Sequence, residues 1–145
     1  MSGVLSEKVV AFAHSQRVGH LATVDGDGRP HVVPVCFAVH GGDVYTPLDV
    51  KPKRVAPLRL RRVRNLLGHP DVCLVVDRYD EDWTRLAWVQ LRGRAGLVDD
   101  PAERGAAIAA LRARYPQYRN AALESCPLIR VSVTQVVAWA AAGTL

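Results

Sequence analysis

The sequence predicts a mainly β domain with flanking helices, built on a six-stranded antiparallel sheet that closes or nearly closes into a small barrel. Three observations predict it. Six apolar runs rich in Val, Leu and Ile lie along the 145 residues, most of them are joined by short turns, and the stretches with helical spacing stand between and around them.

The first element is a helix. "SEKVVAFAHSQ" places Val9, Val10, Phe12 and Ala13 on one side, with Ser6 as its N-cap. The texture then changes to strand: "VGHLATV" (residues 18–24) and "HVVPVCFAV" (residues 31–39) flank the turn "DGDGRP", which is a hairpin signature. A second turn, "HGGD", leads into "VYTPL". A basic segment follows and contains its own helix. Pro57 suits the first helical position, Gly68 the stop, and Pro70 prevents continuation, so that Leu60, Val63 and Leu67, at i, i+3 and i+7, are expected to face the barrel. "VCLVVDR" from Val72 and "LAWVQLRGRAGLV" over residues 86–98 continue the meander. "DPAERGAAIAALRARY" opens with an acid and a proline and sets Ala107, Ile108 and Leu111 at helical spacing. Last, "LIRVSVTQVVAWA" alternates Ile129, Val131 and Val133 against Arg130, Ser132 and Thr134, a strand with one buried face.

Composition bounds the classes. A chain of 145 residues is the size of one ordinary domain, so residues 1–145 are read as a single unit. With 49% hydrophobic and 23% charged residues it has the balance of a globular protein rather than a disordered one. No run approaches a membrane span and the start lacks a basic leader, so a cytoplasmic location and no membrane partner are expected. Cys36, Cys73 and Cys126 are odd in number and form no CxxC pair, which points to neither disulfides nor zinc. The acidic run Asp77, Asp80, Glu81 and Asp82 has Arg78 and Arg85 beside it and reads as a solvated loop, so no metal site is expected. His20 and His31 bracket the first hairpin and read as structural or exposed; no catalytic residue is assigned.

The strongest local signal is "DVKPKRVAPLRLRRVRNL", residues 49–66, with seven basic residues and one acid. Arginines on the outer face of a helix can serve solubility alone. Against that, Lys51, Lys53 and Arg54 crowd just before the helix start, where free N–H groups and the helix dipole also favour an anion. Nucleic acid is the rival partner, but there is no second basic arm, helix-turn-helix or zinc pattern, and none is expected to bind. An interfacial membrane helix would need bulkier apolar residues opposite the charge. A local phosphate site is the more economical reading.

With "RVGHLATVDGDGRPHVVPVCFAV", "VYTPLDVKPKR", "RRVRNLLGHPDVCLVVD" and "YDEDWTRLAWVQLRGRAGLV" on the page, the chain resembles the pyridoxamine 5'-phosphate oxidase-like split β-barrel superfamily, and within it the coenzyme F420-dependent oxidoreductases of actinobacteria. The resemblance covers nearly the whole chain. It implies a six-stranded split barrel of the flavin-reductase type and a homodimer with cofactor clefts at the subunit interface. Carried over by position, Pro34, Val35 and Cys36 would offer backbone to the flavin-like ring and Thr46 would sit at the phosphate end. Arg61, Arg62 and Asn65 would match the phosphate-binding helix, Lys51 and Lys53 would lie towards the cofactor's tail, and Trp83 and Trp88 would line the ring pocket or the dimer interface.

Seven cations exceed what one phosphate uses, which favours coenzyme F420, with its phosphodiester and acidic tail, over FMN. The expected activity is hydride transfer between the deazaflavin and a small unsaturated substrate. The alternatives are an FMN enzyme of the pyridoxamine-phosphate-oxidase type and a non-catalytic flavin- or deazaflavin-binding protein. In any of these the cofactor carries the chemistry, which accounts for the lack of an obvious acid-base pair.

Overall fold

The computed structural model describes residues 3–48 and 59–145. Helix α1 (Glu7–Ser15) leads into β1 (Gly19–Val24), β2 (Pro30–Val35), β3 (Ala38–His40) and β4 (Asp43–Pro47). Then come α2 (Arg61–Gly68), β5 (Asp71–Arg78), a 3₁₀ turn at Trp83–Arg85, β6 (Ala87–Leu97), α3 (Pro101–Arg114), two further 3₁₀ turns, and β7 (Leu128–Ala140). The strands form one antiparallel sheet in the order β2-β1-β5-β6-β7-β4-β3.

That order dictates the shape. β2 and β3 are the two edges of the sheet, yet only Cys36 and Phe37 separate them in sequence. Three peptide links reach at most about 11 Å, so the edges must come together and the sheet must curl into a barrel with a seam at residues 36–37. The sheet has seven strands where six were expected. Residues 31–39, read as one strand, are two: Val35 is the last residue paired with β1, Ala38 the first paired with β4, and between them the chain crosses from one edge to the other.

The long strands stay two-faced along their whole length because of one irregularity. Up to Val133 the odd-numbered residues of β7 face the core, and beyond Gln135 the inward residues are Val136 and Ala140. A bulge opposite Arg92/Gly93 makes the switch by leaving Thr134 unpaired. Gly93 is required there, since a Cβ on it would lie 2.1 Å from the Ser132 carbonyl oxygen.

Two apolar clusters result. The barrel interior holds Phe37, Leu21, Leu74, Val76, Val89, Leu91 and Ile129, and α1 adds Val9, Phe12 and Ala13. Outside the barrel, α3 lays Ala107, Ile108 and Leu111 over Tyr45 and Leu128. Both helix starts form as the sequence predicts: Ser6 Oγ accepts from the Val9 N–H (3.2 Å) and Asp100 Oδ2 from the Glu103 N–H (2.9 Å). Glu103 then pins α3 to the sheet by accepting from the Tyr45 hydroxyl (2.7 Å) and from Arg130 Nη1 (2.8 Å).

Helix α2 departs from expectation in its inward face. Val63 and Leu66 are buried, Leu60 packs partly against the core, and Leu67 is 63% exposed. The core-facing spacing is i, i+3, i+6 rather than i, i+3, i+7, because Asn65 also points inward and sets the helix rotation. Pro57, assigned to the helix start, lies outside the described residues; α2 begins at Arg61.

Candidate functional site

The seam is held by side chains from helices on either side of it. The Arg114 guanidinium, at the end of α3, donates to the carbonyls of Phe37, His14 and Gln16, each at 2.9 Å, and to the Tyr115 hydroxyl at 3.2 Å. It lies 5.0 Å from the Phe37 ring centroid and 5.1 Å from that of Tyr115. The Tyr115 hydroxyl accepts from the Phe37 N–H (3.0 Å) and directs its own proton to the Arg17 or Phe37 carbonyl. His14 Nε2 accepts from the Val39 N–H at 2.9 Å, so that nitrogen carries no proton. Burial, reinforced by the Arg114 charge, holds the His14 pKa below its ordinary value.

Beside this network a pocket of about 350 Å³ opens, lined by Arg17, Val18, Cys36, Tyr115, Gln117 and Tyr118. Of the three residues expected at a cofactor ring, Cys36 is half-buried on the pocket wall, Val35 is buried at the end of β2, and Pro34 is exposed on the barrel's outer side. Thr46 is buried on β4, on the same strand face as the core residue Val44.

A second cleft, about 340 Å³, lies between α2 and the β1–β2 turn and is lined by Asp25, Gly26, Asp27, Arg61, Arg64, Asn65, Gly68 and His69. Asp25 is engaged by its own turn: Oδ1 accepts from the Asp27 and Arg29 N–H groups, both at 2.9 Å. The Arg29 bond is the main reason its pKa is lowered. Arg61 and Arg64 make no hydrogen bond or ion pair with any described residue. Two guanidiniums therefore face the cleft with their donors uncommitted.

The structure separates residues that the sequence reading grouped. Arg61 and Arg62 are both expected at one phosphate, but one step along a helix is a rotation of about 100°, and Arg62 is half-buried and absent from the cleft lining. Arg64, at i+3 from Arg61, shares the cleft with it, and that spacing is the signal that finds it. Asn65 is only 5% exposed and its Nδ2 donates to Thr23 Oγ1 at 3.0 Å, tying α2 to β1. His31, across from Thr23 on β2, has a buried Nδ1 with no hydrogen-bond partner among the described residues. Lys51 and Lys53 lie outside the described residues.

Neither tryptophan is brought to the seam. Trp83 is 66% exposed in its 3₁₀ turn, and Trp88 stands directly across from Trp139 on the outer sheet face. That face also carries Val32, Pro34, Val75 and Val137, and Val32 (59%) and Trp139 (45%) are exposed on it. Among the described residues no group of three or more His, Cys, Asp or Glu side chains could hold a metal, and no helix is long and apolar enough to cross a membrane.

Comparison with known proteins agrees with this geometry. The conserved hypothetical protein Rv2991 of Mycobacterium tuberculosis superposes with a TM-score of 0.77 at 23% identity, over 97% of this chain and 88% of that one. A FAD-binding protein of Mesorhizobium loti gives 0.66 at 23%, over 92% and 94%. The heme storage protein HutZ of Vibrio cholerae gives 0.68 at 19%, over 94% of each chain. No curated protein sequence matches the chain. These likenesses share a fold. The sequence pattern goes further, because the pyridoxamine 5'-phosphate oxidase model matches residues 5–140. With its hairpin, seam and basic helix all inside that match, the chain belongs to the pyridoxamine 5'-phosphate oxidase family.

Proposed function

We propose that the protein is a coenzyme F420-dependent oxidoreductase that works as a homodimer and moves hydride between the deazaflavin and a small planar unsaturated substrate. The observation that carries this reading is the pair Arg61 and Arg64, unpaired in a cleft on a helix that follows Lys51, Lys53 and Arg54. So many cations suit a phosphodiester with an acidic tail better than a single phosphate. Different parts of the chain would meet the two ends of such a group. Arg61 and Arg64 would hold its anionic end, and the backbone at Pro34–Cys36 would orient its ring beside the seam pocket. When bound, the cofactor supplies two-electron hydride chemistry. Tyr115 and Tyr118, both 5% exposed, keep water from one wall of the pocket, and the seam network fixes Cys36 and Phe37 in register with it.

The dimer would form through the outer face bearing Val32, Val75, Val137 and Trp139, because no element of this chain covers that face among the described residues. FMN, or storage of a bound group without turnover, is the competing outcome, in line with the FAD-binding and heme storage relatives. Purification from a host lacking the deazaflavin, followed by titration with coenzyme F420 and with FMN, tests the reading. The expected result is a colourless dimer that binds the deazaflavin more tightly and, once it is reduced, bleaches an enone or quinone panel. A yellow protein that retains FMN, or a monomer with full cofactor affinity, overturns it.

A further inference from the structure

We infer that the seam pocket selects a planar organic acid, and that Arg17 is the residue that reads the acid group. This names the substrate class of the site proposed above and so rests on that reading for its biological meaning, though not for its test. The pocket's six lining residues include one charged group, Arg17, and no acid. Besides one neutral amide, Gln117, its walls are apolar or aromatic: Val18, Cys36, and the Tyr115 and Tyr118 rings, whose centroids are 5.4 Å apart at 64°. A volume of about 350 Å³ is the lower end of the range for small-ligand sites and admits two fused rings.

The two guanidiniums that meet Tyr115 are in different states. Arg114, 5.1 Å from the ring centroid, is bound by three carbonyls and a hydroxyl. Arg17 lies 4.7 Å from the same centroid, is exposed, and makes one hydrogen bond, to the Arg114 carbonyl. An arginine has five N–H donors, so most of those on Arg17 remain for a ligand. Contact with the Tyr115 ring restrains the guanidinium, and a carboxylate meets a restrained guanidinium fork through two parallel bonds. The Arg114 charge, 5.1 Å from the same centroid and with its donors engaged elsewhere, adds to the positive potential without competing for the ligand. A flat molecule with an acid at its edge satisfies both the aromatic wall and the free fork. A neutral molecule satisfies only the wall.

Calorimetry on the cofactor-free protein with three matched probes decides it: 2-naphthoate, 2-naphthylmethanol and 2-naphthylmethylamine. The acid is expected to bind about tenfold more tightly than the alcohol at low salt, as a charge-assisted pair allows, and the amine more weakly than the alcohol. In Arg17→Gln the acid should fall to the level of the alcohol while the alcohol is unchanged; Arg17→Lys should keep part of the preference. Because this side chain is exposed and has one hydrogen bond and one ring contact to lose, only a small fall in melting temperature is expected in either variant. Equal affinity for acid and alcohol in the parent, or a preference that survives Arg17→Gln, overturns the inference. The deazaflavin titration is read separately. Acid selection without deazaflavin binding refutes the oxidoreductase reading and leaves the pocket's selectivity standing, whereas deazaflavin turnover without acid selection does the reverse.

Discussion

The seam and the α2 cleft both gather arginines, and they use them in opposite ways. At the seam, Arg114 has four acceptors within 3.2 Å and lies against two rings. In the cleft, Arg61 and Arg64 have neither a hydrogen bond nor an ion pair among the described residues. A guanidinium bound mainly by backbone carbonyls is part of the architecture, and removing it takes away donors that those carbonyls use. One whose donors face an open cleft adds little to stability and is available to a ligand. Charge count along the sequence cannot make that distinction, because it depends on what each side chain meets.

The largest effect should come from the engaged member. Arg114→Met keeps the packing against Phe37 and Tyr115 but takes a donor from the carbonyls of His14, Gln16 and Phe37, of which the last keeps the Tyr115 hydroxyl. A loss of about 3 kcal/mol or more is expected, the range for breaking a partly buried charged network. Urea denaturation measures it. A loss below about 1 kcal/mol, the size of one ordinary hydrogen bond, would mean that the seam closes without this residue.

His14 tests the same seam through pH. Its Nε2 must stay unprotonated to accept from the Val39 N–H, and its folded-state pKa is lowered, chiefly by burial and then by Arg114. As pH falls, the unfolded chain therefore takes up the proton first. The site's contribution is complete above the ordinary histidine value of 6.5 and is lost as pH falls from there towards the lowered folded value. His14→Leu should cost about 1 to 2 kcal/mol at neutral pH and should flatten the stability profile between pH 7 and 5. A parent and a variant with the same slope would exclude His14 as its source.

Asn65 stands between the two regions, since it lines the cleft yet is bound into the barrel. Asn65→Ala should cost about 1 kcal/mol through the lost bond to Thr23. If thermal stability is unchanged while deazaflavin affinity collapses, the side chain serves the ligand rather than the helix anchor.

Much of the fold was legible because it follows from periodicity and turn chemistry. Ser6 caps its helix as expected, the acid-proline start of the later helix holds its cap Asp100, and Ile129, Val131 and Val133 face inward as their alternation requires. What was not legible is long-range. The break at Cys36 and Phe37 has no Gly or Pro to mark it and is forced by closure of the sheet, so two strands read as one. Of the site, the basic helix and the stretch ending at Cys36 could be picked out, but their neighbours could not. Arg17, Tyr115 and Tyr118 reach the pocket from the two ends of the chain, about 100 residues apart. Helix rotation likewise depends on the buried Asn65–Thr23 bond, which is why Arg61 is joined in the cleft by Arg64 and not by Arg62.

The smallest expected change in stability is the sharpest test of the comparison. Arg61→Ala with Arg64→Ala removes the repulsion of two like charges three residues apart on one helix face and also the weak pull of Arg61 on Asp25, so the effects offset and stability should move by no more than about 0.5 kcal/mol. Binding should move far more. Each uncommitted guanidinium that meets an anionic group is worth roughly 1.5 to 3 kcal/mol in a dry site and less where solvent screens it, so the double variant should lose at least about tenfold in affinity for coenzyme F420. The loss should shrink as salt rises. A double variant that unfolds like Arg114→Met, while binding as tightly as the parent, would put these arginines with the architecture and leave the anion to Lys51, Lys53 and Arg54. Unchanged stability together with weakened binding would separate the two regions as the uncommitted donors of the cleft require.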